Sequence, residues 1–298
     1  MAAIKNYFSL VKFSHTIFAL PFAFIGFFLG LKDMHFFDGD AITKPFSQHE
    51  IFLKLLLVLA SMVTSRSAAM AFNRYIDRRY DRINPRTAQR EIPAGVITAN
   101  QALFFTFISC VLFILICYFI NAICFYLSPL ALFIILFYSY TKRFTALCHL
   151  VLGIGLSLAP IGAYLAITGS FAAIPILFSF AVICWVSGFD IIYALQDEKF
   201  DTDNHLYSMP VIMGKRNALR FSRVLHLLSA LFVIAAGIAG GFTFIYWLGI
   251  IVFCSMLIYQ QSLVKPTDLS KVNLAFMTSN GIASIVFGIC VCLDISLF

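Results

Sequence analysis

Apolar residues run along this chain in long stretches that charge interrupts at wide intervals. No Asp, Glu, Lys or Arg occurs in 13–31, 92–141, 144–189, 224–264 or 272–293. About 20 apolar residues in a helix cross a bilayer. The first and last of these gaps therefore hold one helix each. The three long gaps hold two each, broken near Asn121, near Gly169-Ser170 and near Gly240-Gly241. Residues 51–72 add one more despite Lys54 and Arg66. The pattern predicts an all-α integral membrane protein of nine transmembrane helices, folded as a single domain over 1–298.

The polar positions are patterned too. Asn73, Asp77 and Asp81 recur every fourth residue just where residues 51–72 run out of apolar character. Each such step drifts only about 40° around a helix, so the three side chains form one polar line. Arg66 falls on the same side. By the same arithmetic Asp190, Tyr193, Asp197 and Asp201 share one helical face. Asp77 to Asp197 and Asp81 to Asp201 are both 120 residues apart (197 − 77 and 201 − 81), which suggests two pseudo-repeated halves. Asn84-Pro85 is expected to stop the first polar helix, because proline cannot continue it. The loops at about 73–100 and 190–220 are the charged ones.

Composition sharpens this picture. The chain is 61% hydrophobic and 12% charged, where a soluble chain carries roughly 25% charged residues. A soluble domain is excluded. The positive-inside rule fixes orientation separately. With a cytoplasmic N-terminus, Lys32, Lys44 and Lys54 face outward and Arg66 lies within a helix. The remaining 17 of the 21 basic residues (21 − 4) then fall on the cytoplasmic side. The net charge of +7 is thus a matter of topology, and no nucleic-acid partner is implied. Lys5 and Lys12 precede an apolar run without a small-residue cleavage site, so a retained first span is expected. The eight cysteines contain no C-x-x-C pair and read as small core residues.

Two acidic lines at the ends of membrane spans need a purpose, because carboxylates at such depth are costly. On a solvated helix Asp77 and Asp81 would simply pair with Arg74, Arg78 and Arg82. Two such motifs on the same side of the membrane argue against that reading. Facing carboxylate pairs suit Mg²⁺, which takes a few carboxylates together with phosphate oxygens and water. The arginines nearby suit a diphosphate. An interior rich in Phe and Tyr could hold a hydrocarbon and stabilise a carbocation on ring faces. An ion-coupled transporter is the reading from another class. His15, His149 and His226 have no carboxylate in register and are taken as structural, while His205, just after Asp201, stays open as a site residue.

At these residues the chain resembles a known family. N-R-Y-I-D-R-R-Y-D is similar to the N-x-x-x-D-x-x-x-D motif of the UbiA superfamily of intramembrane prenyltransferases. D-I-I-Y-A-L-Q-D-E-K-F-D resembles its second motif, and K-R-F-T at 142–145 its K-R-x-T. The resemblance implies Mg²⁺-dependent transfer of a polyprenyl group from polyprenyl diphosphate to an aromatic acid. The acceptor is 4-hydroxybenzoate in ubiquinone biosynthesis, or alternatively a dihydroxynaphthoate in menaquinone biosynthesis. It implies Asp77, Asp81, Asp197 and Asp201 as metal ligands, and Asn73, Arg86, Arg90 and Lys142 on the diphosphate. Arg66, Arg143, Asp190 and Tyr193 would meet the aromatic acceptor, with Asp190 and Arg66 catalytic. The implied location is a bacterial inner (plasma) membrane, with the site facing the cytoplasm. Two departures stand out: Glu91 where the family usually has Pro, and His205 where Gly is common. The N-P-R-T run and S-H-T-I-F-A-L-P of the first span are more like the naphthoate-using relatives.

Overall fold

The computed structural model describes residues 18–37 and 46–298, and among these the chain is helical without a β-strand. The helices are α1 (Leu20–Asp33), α2 (Gln48–Ile83), α3 (Ala99–Ile120), α4 (Ala122–Thr141), α5 (Cys148–Thr168) and α6 (Ala173–Ala194). They continue as the short α7 (Glu198–Asp203), then α8 (Met209–Ala239), α9 (Phe244–Leu263) and α10 (Asn280–Leu297). Among the described residues eight helical segments are long and apolar enough to cross a membrane. The described 14 residues of α1 form the ninth apolar helix. Lys5, Lys12, His15, Lys44 and the beginning of the first predicted span lie outside the described residues.

Most helix ends fall where turn chemistry puts them. Ser47 and Thr98 open α2 and α3 with capping boxes to Glu50 and Gln101. Asn121 separates α3 from α4 and accepts a bond from Cys124 N. Gly169, in the left-handed region at φ 66°, closes α5. Asn84 ends α2, one residue before Pro85.

Two elements depart from the sequence reading. Asp190 to Asp201 do not share one continuous helix: α6 ends at Ala194, Leu195–Asp197 form a 3₁₀ turn, and α7 follows. The last helix is preceded by a π-helical turn at Ala275–Ser279. No glycine or proline lies within either turn, so the pattern of residue types could not announce it.

α6 is the centre of the bundle, packed between α5 and α8. Its Phe178, Trp185, Ile191 and Ile192 are fully buried, with Phe22 of α1, Phe253 of α9 and Phe287 of α10 around the first two. Close helix approach needs small residues. A Cβ on Gly153 of α5 would stand 2.6 Å from the Ile183 carbonyl of α6, and one on Gly26 only 1.9 Å from the Pro160 carbonyl. Outward-facing Phe104, Phe107, Phe119 and Ile258 are exposed, as a lipid-facing surface requires.

Two charges inside the spans are paired locally. The Lys54 ammonium donates to the Ala166 carbonyl at 2.9 Å, near the C-terminal end of α5 where the helix dipole is negative. Asp294, 1% exposed, accepts from Thr243 N at 2.9 Å and Tyr246 N at 3.1 Å, and so satisfies the start of α9. Neither residue has further chemistry to explain.

Candidate active site

A helix rises 1.5 Å per residue, so the 36 residues of α2 extend about 54 Å, well beyond a bilayer's hydrocarbon core. The overshoot carries Asn73, Asp77 and Asp81 to one end of the bundle. After Ile83 the chain folds back: Thr87 Oγ1 donates to the Asp81 carbonyl at 3.2 Å, bringing Arg86 and Arg90 over the helix end. The α4–α5 turn adds Lys142 and Arg143, and α6 with α7 adds Asp190, Tyr193, Asp197 and Asp201. Together they enclose a cavity of about 180 Å³. Eleven of the twelve predicted site residues line it. Arg66, about two turns deeper in α2 than Asn73, does not; its Nε is buried with no hydrogen-bond partner among the described residues.

Five acids line the cavity, and each meets one basic side chain. Arg143 Nη2 donates to Asp77 Oδ1 at 2.9 Å, and Arg90 Nη1 to Asp81 Oδ1 at 2.7 Å. Arg86 grips Asp197 with two nitrogens, Nε reaching Oδ1 at 2.9 Å and Nη2 bonding Oδ2. Lys142 Nζ lies 2.8 Å from Oδ1 of the fully buried Asp201. Asp190 Oδ2 meets His149 Nδ1 at 2.7 Å. Burial works against the charges of Arg86 and Lys142, but Asp197 and Asp201 outweigh it and hold both groups above their ordinary pKa. Both remain cations in any physiological range.

Supporting residues order this set. Asn73 Nδ2 donates to Asp77 Oδ2 at 3.0 Å. Asn84 accepts from Arg86 N at 2.9 Å and reaches Asp197 Oδ1 at 3.4 Å. Arg86 Nη1 also donates to the Tyr193 hydroxyl at 3.1 Å, and Tyr193 packs on Phe276 of the π-helical turn with ring centroids 4.4 Å apart. Glu91 faces Arg74, whose guanidinium is 3% exposed, with Nε 3.9 Å from Oε2. That neutralises a buried charge next to Asn73, a role proline could not fill.

The sequence reading of His149 needs correction. Taken as structural for want of a carboxylate in register, it is bonded to Asp190 on a neighbouring helix, 41 residues on. His205 is resolved the other way. It is exposed, lies outside the cavity lining and stands in the left-handed region at φ 53°. There glycine is at ease and other residues are strained. The departure from Gly is a matter of backbone conformation.

The donor set suits a divalent ion. Asp81 Oδ2 is buried without a hydrogen-bond partner among the described residues. Among the described residues no three His, Cys, Asp or Glu side chains converge into a closed metal cage. An ion here would take carboxylates in small number and complete its shell with phosphate and water oxygens, the arrangement Mg²⁺ favours over a protein-only cage.

Known proteins share the whole architecture. The sequence profile of the UbiA prenyltransferase family matches residues 19–282. A 4-hydroxybenzoate octaprenyltransferase of Tolumonas auensis is 29% identical over 236 residues, 79% of this chain and 82% of that one. The apo structure of a UbiA homolog from Aeropyrum pernix superposes with a TM-score of 0.81 at 31% identity, covering 94% of this chain and 98% of the other. A UbiA homolog from Archaeoglobus fulgidus, bound to GPP and Mg²⁺, shares the fold at a TM-score of 0.71 and 19% identity over 98% of this chain and all of that one.

Proposed function

The chain belongs to the UbiA prenyltransferase family, and from that premise we propose that it transfers a polyprenyl group from its diphosphate to 4-hydroxybenzoate, in ubiquinone biosynthesis. One observation carries the reading: both acidic motifs and four permanent cations line a single cavity. A prenyltransferase needs that combination, and the transporter reading does not account for it.

Asp77, Asp81, Asp197 and Asp201 would hold Mg²⁺, which when bound neutralises diphosphate charge and helps the leaving group depart. Arg86, Arg90, Lys142 and Asn73 bind the diphosphate oxygens. Each of these three cations is already held on a carboxylate, which fixes positive charge beside the place the diphosphate takes. Arg86 and Arg90 come from the folded-back loop, which covers the helix end. On the ring side Asp190 accepts a hydrogen bond from the acceptor phenol and then takes the displaced ring proton. Arg143 and Tyr193 border the same cavity and orient the acid. Arg66 lies deeper in the bundle, and its free Nε offers a donor to an acceptor carboxylate. Charge distribution supports a cavity open to the cytoplasm, and the bacterial relatives support a bacterial inner membrane.

A second reading keeps the reaction and changes the ring. The run that most resembles naphthoate-using relatives, Asn84-Pro85-Arg86-Thr87, contributes Asn84, Arg86 and Thr87 to the cavity lining. A dihydroxynaphthoate acceptor in menaquinone biosynthesis follows from that. Incubating the membrane-embedded protein with one polyprenyl diphosphate, Mg²⁺ and equal amounts of both acids decides the matter by product mass. Prenylated hydroxybenzoate supports the first reading, a dominant naphthoate product replaces it with the second, and no prenylated acid removes both.

A further inference from the structure

We propose that His149 is the positioning residue of Asp190: a neutral imidazole that fixes the carboxylate for proton transfer without neutralising it. The inference rests on the prenyl-transfer reading and adds how its base is held.

The imidazole is fixed from three directions. It is 3% exposed, at the second residue of α5. Nε2 accepts from the backbone amide of Met209, at the start of α8, at 3.3 Å. An amide nitrogen can only donate, so Nε2 presents its lone pair and the proton sits on Nδ1. Nδ1–H donates a hydrogen bond to Asp190 Oδ2 at 2.7 Å. The His149 carbonyl in turn accepts from Ser187 Oγ at 3.1 Å, one turn before Asp190 on α6. Gly153 lets α5 approach α6 this closely. Three helices therefore agree on one tautomer and one ring orientation.

The contrast with the other acids gives the arrangement its meaning. Asp77, Asp81, Asp197 and Asp201 each meet an arginine or lysine. Asp190 alone among the five cavity acids meets an imidazole. A permanent cation there would bind the carboxylate and compete for the proton it must accept. A neutral Nδ1–H donor orients the group and leaves it basic. Asp190 Oδ2 is occupied by His149, while Oδ1 makes no hydrogen bond among the described residues and its side chain is 19% exposed toward the cavity. In the transfer step the C1–oxygen bond to diphosphate breaks and a bond from C1 to the ring carbon forms. The ring proton then passes to Asp190 Oδ1, returning its C–H electron pair to the ring. His149 keeps its Nδ1 proton throughout.

The test uses the full-length protein in nanodiscs and the variants His149→Leu, which removes the donor, and His149→Asn, whose amide can replace Nδ1–H. Equilibrium binding of the prenyl diphosphate with Mg²⁺ reports that each variant is folded and its diphosphate side intact. The expected result for His149→Leu is a fall in kcat of about tenfold or more, with prenyl diphosphate affinity within about twofold, and recovery of most of kcat in His149→Asn. A merely structural role would move binding and kcat together. A Leu variant that binds normally and keeps more than half of kcat overturns the proposal, as does an Asn variant that binds normally and recovers nothing. ¹⁵N-histidine NMR of the wild type reads the pair without turnover: His149 is expected as the Nδ1–H tautomer, and its signal should move in Asp190→Asn. An Nε2–H tautomer, or a doubly protonated ring, overturns the proposal. If the wild type forms no prenylated product with either acid, the transfer reading fails, and the NMR result still decides whether His149 holds Asp190.

Discussion

The guanidinium of Arg86 closes a two-pronged bond on the carboxylate of Asp197, across 111 residues of chain. It ties the loop after the first acidic motif to the second motif, so the two motifs form one site. Planar bidentate pairing is a property of arginine that lysine lacks. Arg86→Lys is therefore expected to lower kcat/KM for the prenyl diphosphate about tenfold or more, and Arg86→Ala further, because Asp197 is then left buried without its partner. A lysine variant with wild-type kcat/KM in a steady-state assay would remove the bidentate grip from the account.

His205 tests the reading of backbone strain. With φ at 53° its side chain costs about 1 kcal/mol that glycine does not. His205→Gly is expected to raise thermal stability in detergent by about that amount and to leave turnover unchanged. A variant of lower stability, or one that loses activity, would give the imidazole a role that its place outside the cavity denies it.

Asp294 tests a buried cap. Its carboxylate serves two backbone amides at the start of α9, so Asp294→Ala should cost about 1–2 kcal/mol in thermal unfolding. The protein that remains folded is expected to turn over normally, since the residue lies outside the cavity lining. Unchanged stability would contradict the capping role.

Orientation is checked by labelling. Single cysteines at Thr202 and Asp268, both exposed, should react with a membrane-impermeant thiol reagent only from the cytoplasmic side, in a background cleared of native cysteines. One at Ser170 should react only from outside. Any reversal overturns the inside-positive assignment.

The legible and the hidden parts of this protein divide along physical lines. Spans were legible because lipid forbids charge over about 20 residues, and the charge-free gaps record that directly. The line Asn73, Asp77, Asp81 was legible because one helix fixes its geometry, and Asn84-Pro85 showed where that helix ends. The bond between His149 and Asp190 was hidden because it joins two helices, and helical register says nothing about partners across a bundle. The 3₁₀ turn at Leu195–Asp197 was hidden because tertiary contacts, with no glycine or proline, set the winding there. Arg66 shows the opposite limit: it shares a helical side with the acidic line, yet seven residues of rise take it out of the cavity.

The central claim is that the two acidic motifs act together, with a divalent ion, on one prenyl diphosphate. The most direct measurement is the rate of prenyl transfer to the acceptor acid by membrane-embedded wild type, Asp77→Asn and Asp197→Asn, with prenyl diphosphate binding followed in parallel. Each single variant is expected to fall below one tenth of the wild-type rate, a loss above about 1.4 kcal/mol in the barrier. EDTA should abolish the wild-type rate and Mg²⁺ restore it. Either variant keeping more than a tenth of the rate, or transfer that persists in EDTA, would contradict the account.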